Sequence, residues 1–131
     1  MLLENISDQI IKCFYKVYNN LGFGFLEKVY KNALFLELKK AGLLTEKNFK
    51  INVFYNDVIV GEYIADLIVE ESIIIELKAI EVLVKENELQ LINYLKATEI
   101  EVGLLLNFGK SPQIKRKIFT NDRRQKGNSD L

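Results

Sequence analysis

Residues 72–79 read SIIIELKA, an apolar run of strand length interrupted by Glu76 and Lys78. Residues two apart on a strand point the same way, so Glu76 and Lys78 share one face while Ile73, Ile75 and Leu77 line the other. A charge on a buried strand costs on the order of several kcal/mol unless it is paired or holds a metal. The preceding stretch YIADLIV carries one acid, Asp66, and a hairpin turn at residues 70–72 sets it on the strand beside Glu76. Two converging carboxylates among oxygen donors suit a hard cation such as Mg²⁺ or Mn²⁺, whose other positions go to water and phosphate oxygens. A lysine two residues on can neutralise charge developing in a transition state or orient an attacking water. That combination is the chemistry of metal-assisted phosphodiester hydrolysis.

Other chemistries are narrowed by what the chain lacks. It has no histidine and a single cysteine, Cys13, which excludes Ser-His-Asp and Cys-His triads, the usual zinc sites and an intrachain disulfide. Cys13 reads as a small apolar residue on a helix. The N-terminus lacks a basic segment followed by a long apolar one, and no apolar stretch nears the ~20 residues of a membrane span, so a cytoplasmic protein with no membrane partner is expected. Net charge is zero over 131 residues. Charge is nevertheless segregated: nine acids stand against two lysines between Asp57 and Glu88, and seven bases against one acid between Lys110 and Lys126. An acidic middle suits a cation and a basic end suits a polyanion, unless both are solvated faces.

The elements that must position these residues follow from periodicity. Ile6, Ile10, Cys13, Phe14, Val17 and Leu21 recur at helical steps, and so do Leu26, Val29, Tyr30, Ala33, Leu34 and Leu38 ahead of a Gly42 cap. From residue 49 the period becomes two, with turns at ND and EES, giving three consecutive strands. Residues 87–98 read as a helix, and EVGLLLNFG as a buried strand reached by a crossover to a parallel neighbour. IKRKIFT is expected as an edge strand, its bases discouraging edge pairing, and Pro112 as a loop. The order α-α-β-β-β-α-β predicts an α/β fold around a mixed sheet, in one domain over residues 1–120 with a basic, flexible tail over residues 121–131. No Gly-rich phosphate loop is present, which weighs against nucleotide binding.

At this point the motifs resemble a known family. Asp66 followed by Glu76-Leu-Lys78 on the next strand is similar to the signature of the PD-(D/E)XK nuclease superfamily, with Ala65 where the signature proline stands. Residues 61–66, GEYIAD, and residues 90–94, QLINY, resemble the Gly-to-Asp and QxxxY motifs of its RecB-like branch. Residues 24–30, GFLEKVY, carry the GxxExxY pattern that names a small bacterial and archaeal family within it. The resemblance spans about residues 5–120. It implies a restriction-endonuclease-like core and a Mg²⁺- or Mn²⁺-dependent nuclease acting on DNA, with RNA as the second choice. It also implies Asp66 and Glu76 as metal ligands, Lys78 as catalytic lysine and Glu27 as a further acid from the second helix, able to add a ligand. Tyr30, Gln90 and Tyr94 become supporting or substrate-binding residues.

Plainer roles compete. Glu27 could simply favour a helix N-terminus, Tyr30 and Tyr94 could be core aromatics, Gln90 a surface residue, and Glu76 with Lys78 a structural ion pair. A binding module that keeps the fold and grips phosphate with residues 115–126 is the alternative to an enzyme. So small a chain also leaves room for a homodimer or a protein partner. No aromatic stacking platform is expected outside the core, so the sequence gives single strands no preference.

Overall fold

Ile6, Ile10, Cys13, Phe14 and Val17 are buried along one face of α1 (Leu3–Leu21), the first element of a computed structural model that describes residues 3–122. The second helix, α2 (Glu27–Lys40), buries Tyr30, Leu34 and Leu38. Leu26, expected on its apolar face, instead precedes the first turn and is 69% exposed. The helix ends in paired capping bonds: Gly42, at φ +82°, donates its N–H to the Lys39 carbonyl and Leu43 donates to that of Leu38. Only that left-handed turn lets both carbonyls be satisfied as the chain reverses.

The five strands are β1 (Thr45–Tyr55), β2 (Val58–Val69), β3 (Ile73–Lys78), β4 (Val102–Phe108) and β5 (Pro112–Ile118), with α3 (Lys85–Lys96) between β3 and β4. They form one sheet in sequential order, in which β3 and β4 are parallel and all other neighbours antiparallel. This is the mixed sheet with flanking helices expected for a restriction-endonuclease-like core. Asn56 and Asp57, both at positive φ, make the two-residue turn between β1 and β2, while Glu70 and Glu71, also at positive φ, turn the chain into β3.

Three boundaries differ from expectation. The first strand begins at Thr45, not 49: Glu46, Lys47 and Asn48 stay solvated along the sheet edge, and the buried Thr45 donates its hydroxyl to the Leu43 carbonyl. α3 begins at Lys85, two residues early, since the Asn87 side chain accepts the Val84 N–H and caps the turn before it. Pro112 opens β5 rather than marking a loop, at a strand start where a missing N–H is tolerated. Of the expected basic tail, Arg123, Arg124 and Lys126 lie outside the described residues.

α1 and α2 cover one face of the sheet, packing on Leu67, Val69, Ile73, Ile75, Leu77, Leu104 and Leu106. α3 covers the other, where Leu91, Tyr94 and Leu95 meet Ile51, Ala65, Ile74 and Leu105. Gly103 permits that contact, because a Cβ there would stand 2.7 Å from Leu91 Cδ1. Ala65 and Leu67 are two apart on β2 yet belong to opposite cores. The side-chain alternation of the strand therefore breaks at Asp66.

Candidate active site

The break at Asp66 coincides with the end of a ladder. β2 and β3 pair at Val69–Ile73, Ile68–Ile74 and Leu67–Ile75, and there the regular pairing stops. Beyond it the two acids take over the backbone's hydrogen bonds. The Asp66 N–H donates to Glu76 Oε1 (2.8 Å), and the Leu77 N–H donates to Asp66 Oδ2 (2.8 Å). Each carboxylate thus satisfies the neighbouring strand's amide, which fixes both side chains in the fork between the strands. Asp66 Oδ1 and Glu76 Oε2 are not used by these two bonds.

The fork is electrostatically loaded. Glu76 is 5% exposed, and burial first, then the Asp66 carboxylate, push its carboxyl up to about 8 against the opposing pull of the Asp66 amide and Lys78. Glu27, at the start of α2, is also raised, by burial and then by Asp66, while Lys78 and Lys31 draw it down. Lys78 lies at the end of β3, half-buried, and acts through space on both glutamates. Glu27, exposed at the first turn of α2, is thus within electrostatic reach of Asp66 from the helical layer of α1 and α2.

α3 closes the other side. Gln90 hydrogen-bonds the Tyr94 hydroxyl, and Tyr94 is pushed up to about 12 by burial, then by Glu76 and Asp66. At neutral pH the hydroxyl is therefore a proton donor beside the acids. Tyr30 sits differently: it is fully buried and stacked on Phe108 with ring centroids 4.3 Å apart. Its hydroxyl donates to the Gly22 carbonyl and accepts the Phe25 N–H at 3.2 Å. Tyr30 pins the loop that leads into Glu27 and so supports the site through the backbone.

Sequence reading singled out neither Lys31 nor Asn107 for the site. Lys31 Nζ lies 3.7 Å from Asp66 Oδ1 and donates to Asn48 Oδ1 at 2.7 Å. Asn48, at φ 59°, leaves a gap in the β1–β2 pairing between Lys47–Leu67 and Phe49–Ala65, opposite Asp66, with the register unchanged across it. Asn107, wholly buried on β4, accepts the Ile80 N–H and donates to the Ile80 carbonyl, locking the chain just after Lys78. A polar residue inside the apolar run VGLLLNF was its signal. The other acids of the middle of the chain do not gather there: Glu62, Glu81 and Glu88 pair with Lys50, Lys110 and Lys117, and Glu70 accepts the Leu44 N–H.

The donor set at the fork fits a hard divalent cation. Two carboxylates meet in a site of low solvent exposure, and the same repulsion and desolvation that keep Glu76 protonated would be relieved by a dication. Among the described residues, no three Asp, Glu, His or Cys side chains gather closely enough to hold an ion by themselves, so water or phosphate oxygens must complete the shell.

A core of this topology, with paired acids where two central strands part and a lysine on the second of them, defines a nuclease-like α/β class. Residues 4–118 match the family model of the PD-(D/E)XK nuclease superfamily, and the chain belongs to that superfamily. Its nucleases generally use divalent metals and act on nucleic acid. No curated protein and no solved structure matches the chain. No helix among the described residues is long and apolar enough to cross a membrane.

Proposed function

We propose that this chain is a divalent-metal-dependent nuclease of the GxxExxY branch, hydrolysing phosphodiester bonds of DNA in preference to RNA, in the cytoplasm. The observation that carries this reading is the reciprocal bonding of Asp66 and Glu76 across the fork, with Lys78 one step beyond. A structural ion pair needs no second carboxyl buried beside the first, least of all one that burial and Asp66 keep protonated. Mg²⁺ or Mn²⁺ held by Asp66 and Glu76 would supply Lewis acidity toward a phosphate oxygen and lower the pKa of a water. Lys78 offsets negative charge developing on the phosphate, and Lys31 holds Asp66 in place from α2. Glu27, which the sequence offered as a further ligand, does not gather with the two fork acids and instead orients water from the side of α2. Gln90 fixes the Tyr94 hydroxyl, which donates toward the acids or the substrate.

Purified protein incubated with single- and double-stranded DNA and RNA, in Mg²⁺, Mn²⁺ or EDTA, tests the reading directly. Cleavage is expected only with the metals, and Asp66→Ala or Glu76→Ala should lower it by at least about 1,000-fold without unfolding the chain. Full cleavage by either variant would overturn the site.

A further inference from the structure

The hairpin of β1 and β2 runs on beyond the fork, and α3 crosses beneath it. Between them lie two adjoining hollows of about 220 and 230 Å³. Tyr63 and Asn93 line both, so the two hollows adjoin at these side chains. Tyr63 is 45% exposed, and its inner side rests on Tyr94, with ring centroids 5.5 Å apart. The first hollow is completed by Gln90 and Tyr94, the second by Lys96.

We propose that this groove binds unpaired nucleotides, with bases seated on either side of the Tyr63 ring, and that the substrate is accordingly a single strand or a frayed end. The inference rests on the nuclease reading for its substrate class. Three features favour it. Tyr63 is three residues from Asp66, about 10 Å along the strand, so a strand with one phosphate at the acids passes the ring. A supported but half-exposed aromatic is a stacking surface for any base, and the Gln90 and Asn93 amides offer donors and acceptors to base edges. Glu86 at the rim of the first hollow repels phosphate, so a base rather than the backbone fits there, while Lys96 suits a phosphate at the far end. Each hollow has room for a base. This also revises the expectation from sequence that no stacking platform lies outside the core: Tyr63 sits in an alternating strand and reads as an ordinary strand aromatic.

The test is binding in EDTA, where turnover is suppressed, followed by fluorescence anisotropy. The probes are a labelled oligothymidylate of about ten nucleotides, its duplex with oligoadenylate, and an abasic strand of the same length. Wild type should bind the thymidylate more tightly than the duplex. Tyr63→Leu, which keeps apolar bulk on the strand, should lose about ten-fold on thymidylate and nothing on the abasic strand, whereas Tyr63→Phe should bind like wild type. Equal losses on both strands, no loss at Tyr63→Leu, or no thymidylate binding by wild type would overturn the groove and leave it to another occupant such as an apolar peptide. Metal-dependent cleavage alongside any of those results overturns the groove alone. A ring-dependent loss without cleavage under any metal overturns the nuclease reading and leaves the groove standing.

Discussion

The two ends of the β2–β3 pair are built from opposite materials. At the closed end, Leu67, Val69, Ile73, Ile74 and Ile75 are wholly excluded from solvent, and backbone amides bond backbone carbonyls. At the open end, one residue further along each strand, Asp66 and Glu76 accept the amides instead. A sheet can stop its ladder without orphaning donors if carboxylates replace the carbonyls, and the replacement leaves negative charge in a confined place. The closed end contributes stability; the open end gathers the acids of the proposed site and carries a cost. The alternation break at Asp66 turns its side chain into the plane of the sheet, where it meets the neighbouring strand.

That contrast can be broken most forcefully at the closed end. Leu67→Ala should destabilise the fold by about 2–5 kcal/mol in chemical denaturation, because a fully buried side chain between β2 and the helices leaves a cavity. The protein that stays folded should still cut at the wild-type rate, whereas the acid-to-alanine variants should show the reverse pattern.

The cost of the open end is legible in pH. A carboxyl raised from its ordinary value of 4.5 to about 8 binds its proton more tightly in the folded state than in the unfolded one. Its contribution to stability is fully present below about pH 4.5 and is lost as pH rises through 8. In EDTA, stability should fall by roughly 4 kcal/mol between those limits, after correction for other groups. Glu76→Gln should flatten the slope, and so should saturating Mn²⁺; a slope unchanged in Glu76→Gln would show that Glu76 is not its source.

The smallest effect concerns the loop ahead of Glu27. Tyr30→Phe keeps the stack on Phe108 but removes the partner of the Phe25 N–H and the Gly22 carbonyl. A loss of about 1 kcal/mol is expected, with a several-fold fall in cleavage if the loop positions Glu27. Unchanged stability would mean that water replaces the hydroxyl at no cost.

How much of this was readable in the chain depends on the kind of signal. Glu76, Lys78 and Asp66 stood out because charges interrupt apolar strands, and Gln90 with Tyr94 only because QLINY resembles the QxxxY motif of a known family. The strand order and the parallel β3–β4 pair followed from the alternation of elements. Lys31, Asn48 and Tyr63 did not stand out: each has the residue type that its local element tolerates on a surface, and only the crossing of distant elements gives it a neighbour. The fork was hidden for the same reason, since where a ladder ends is decided by side chains on both strands at once.

The central claim is that the carboxylates at the fork hold a divalent cation, and calorimetric titration of the metal-free protein with Mn²⁺ tests it most directly. One site per chain is predicted, with release of protons at pH 7 because Glu76 must give up its proton to bind, and with binding lost in both Asp66→Asn and Glu76→Gln. A folded protein that takes up no Mn²⁺, or that binds it equally well in both variants, would contradict it.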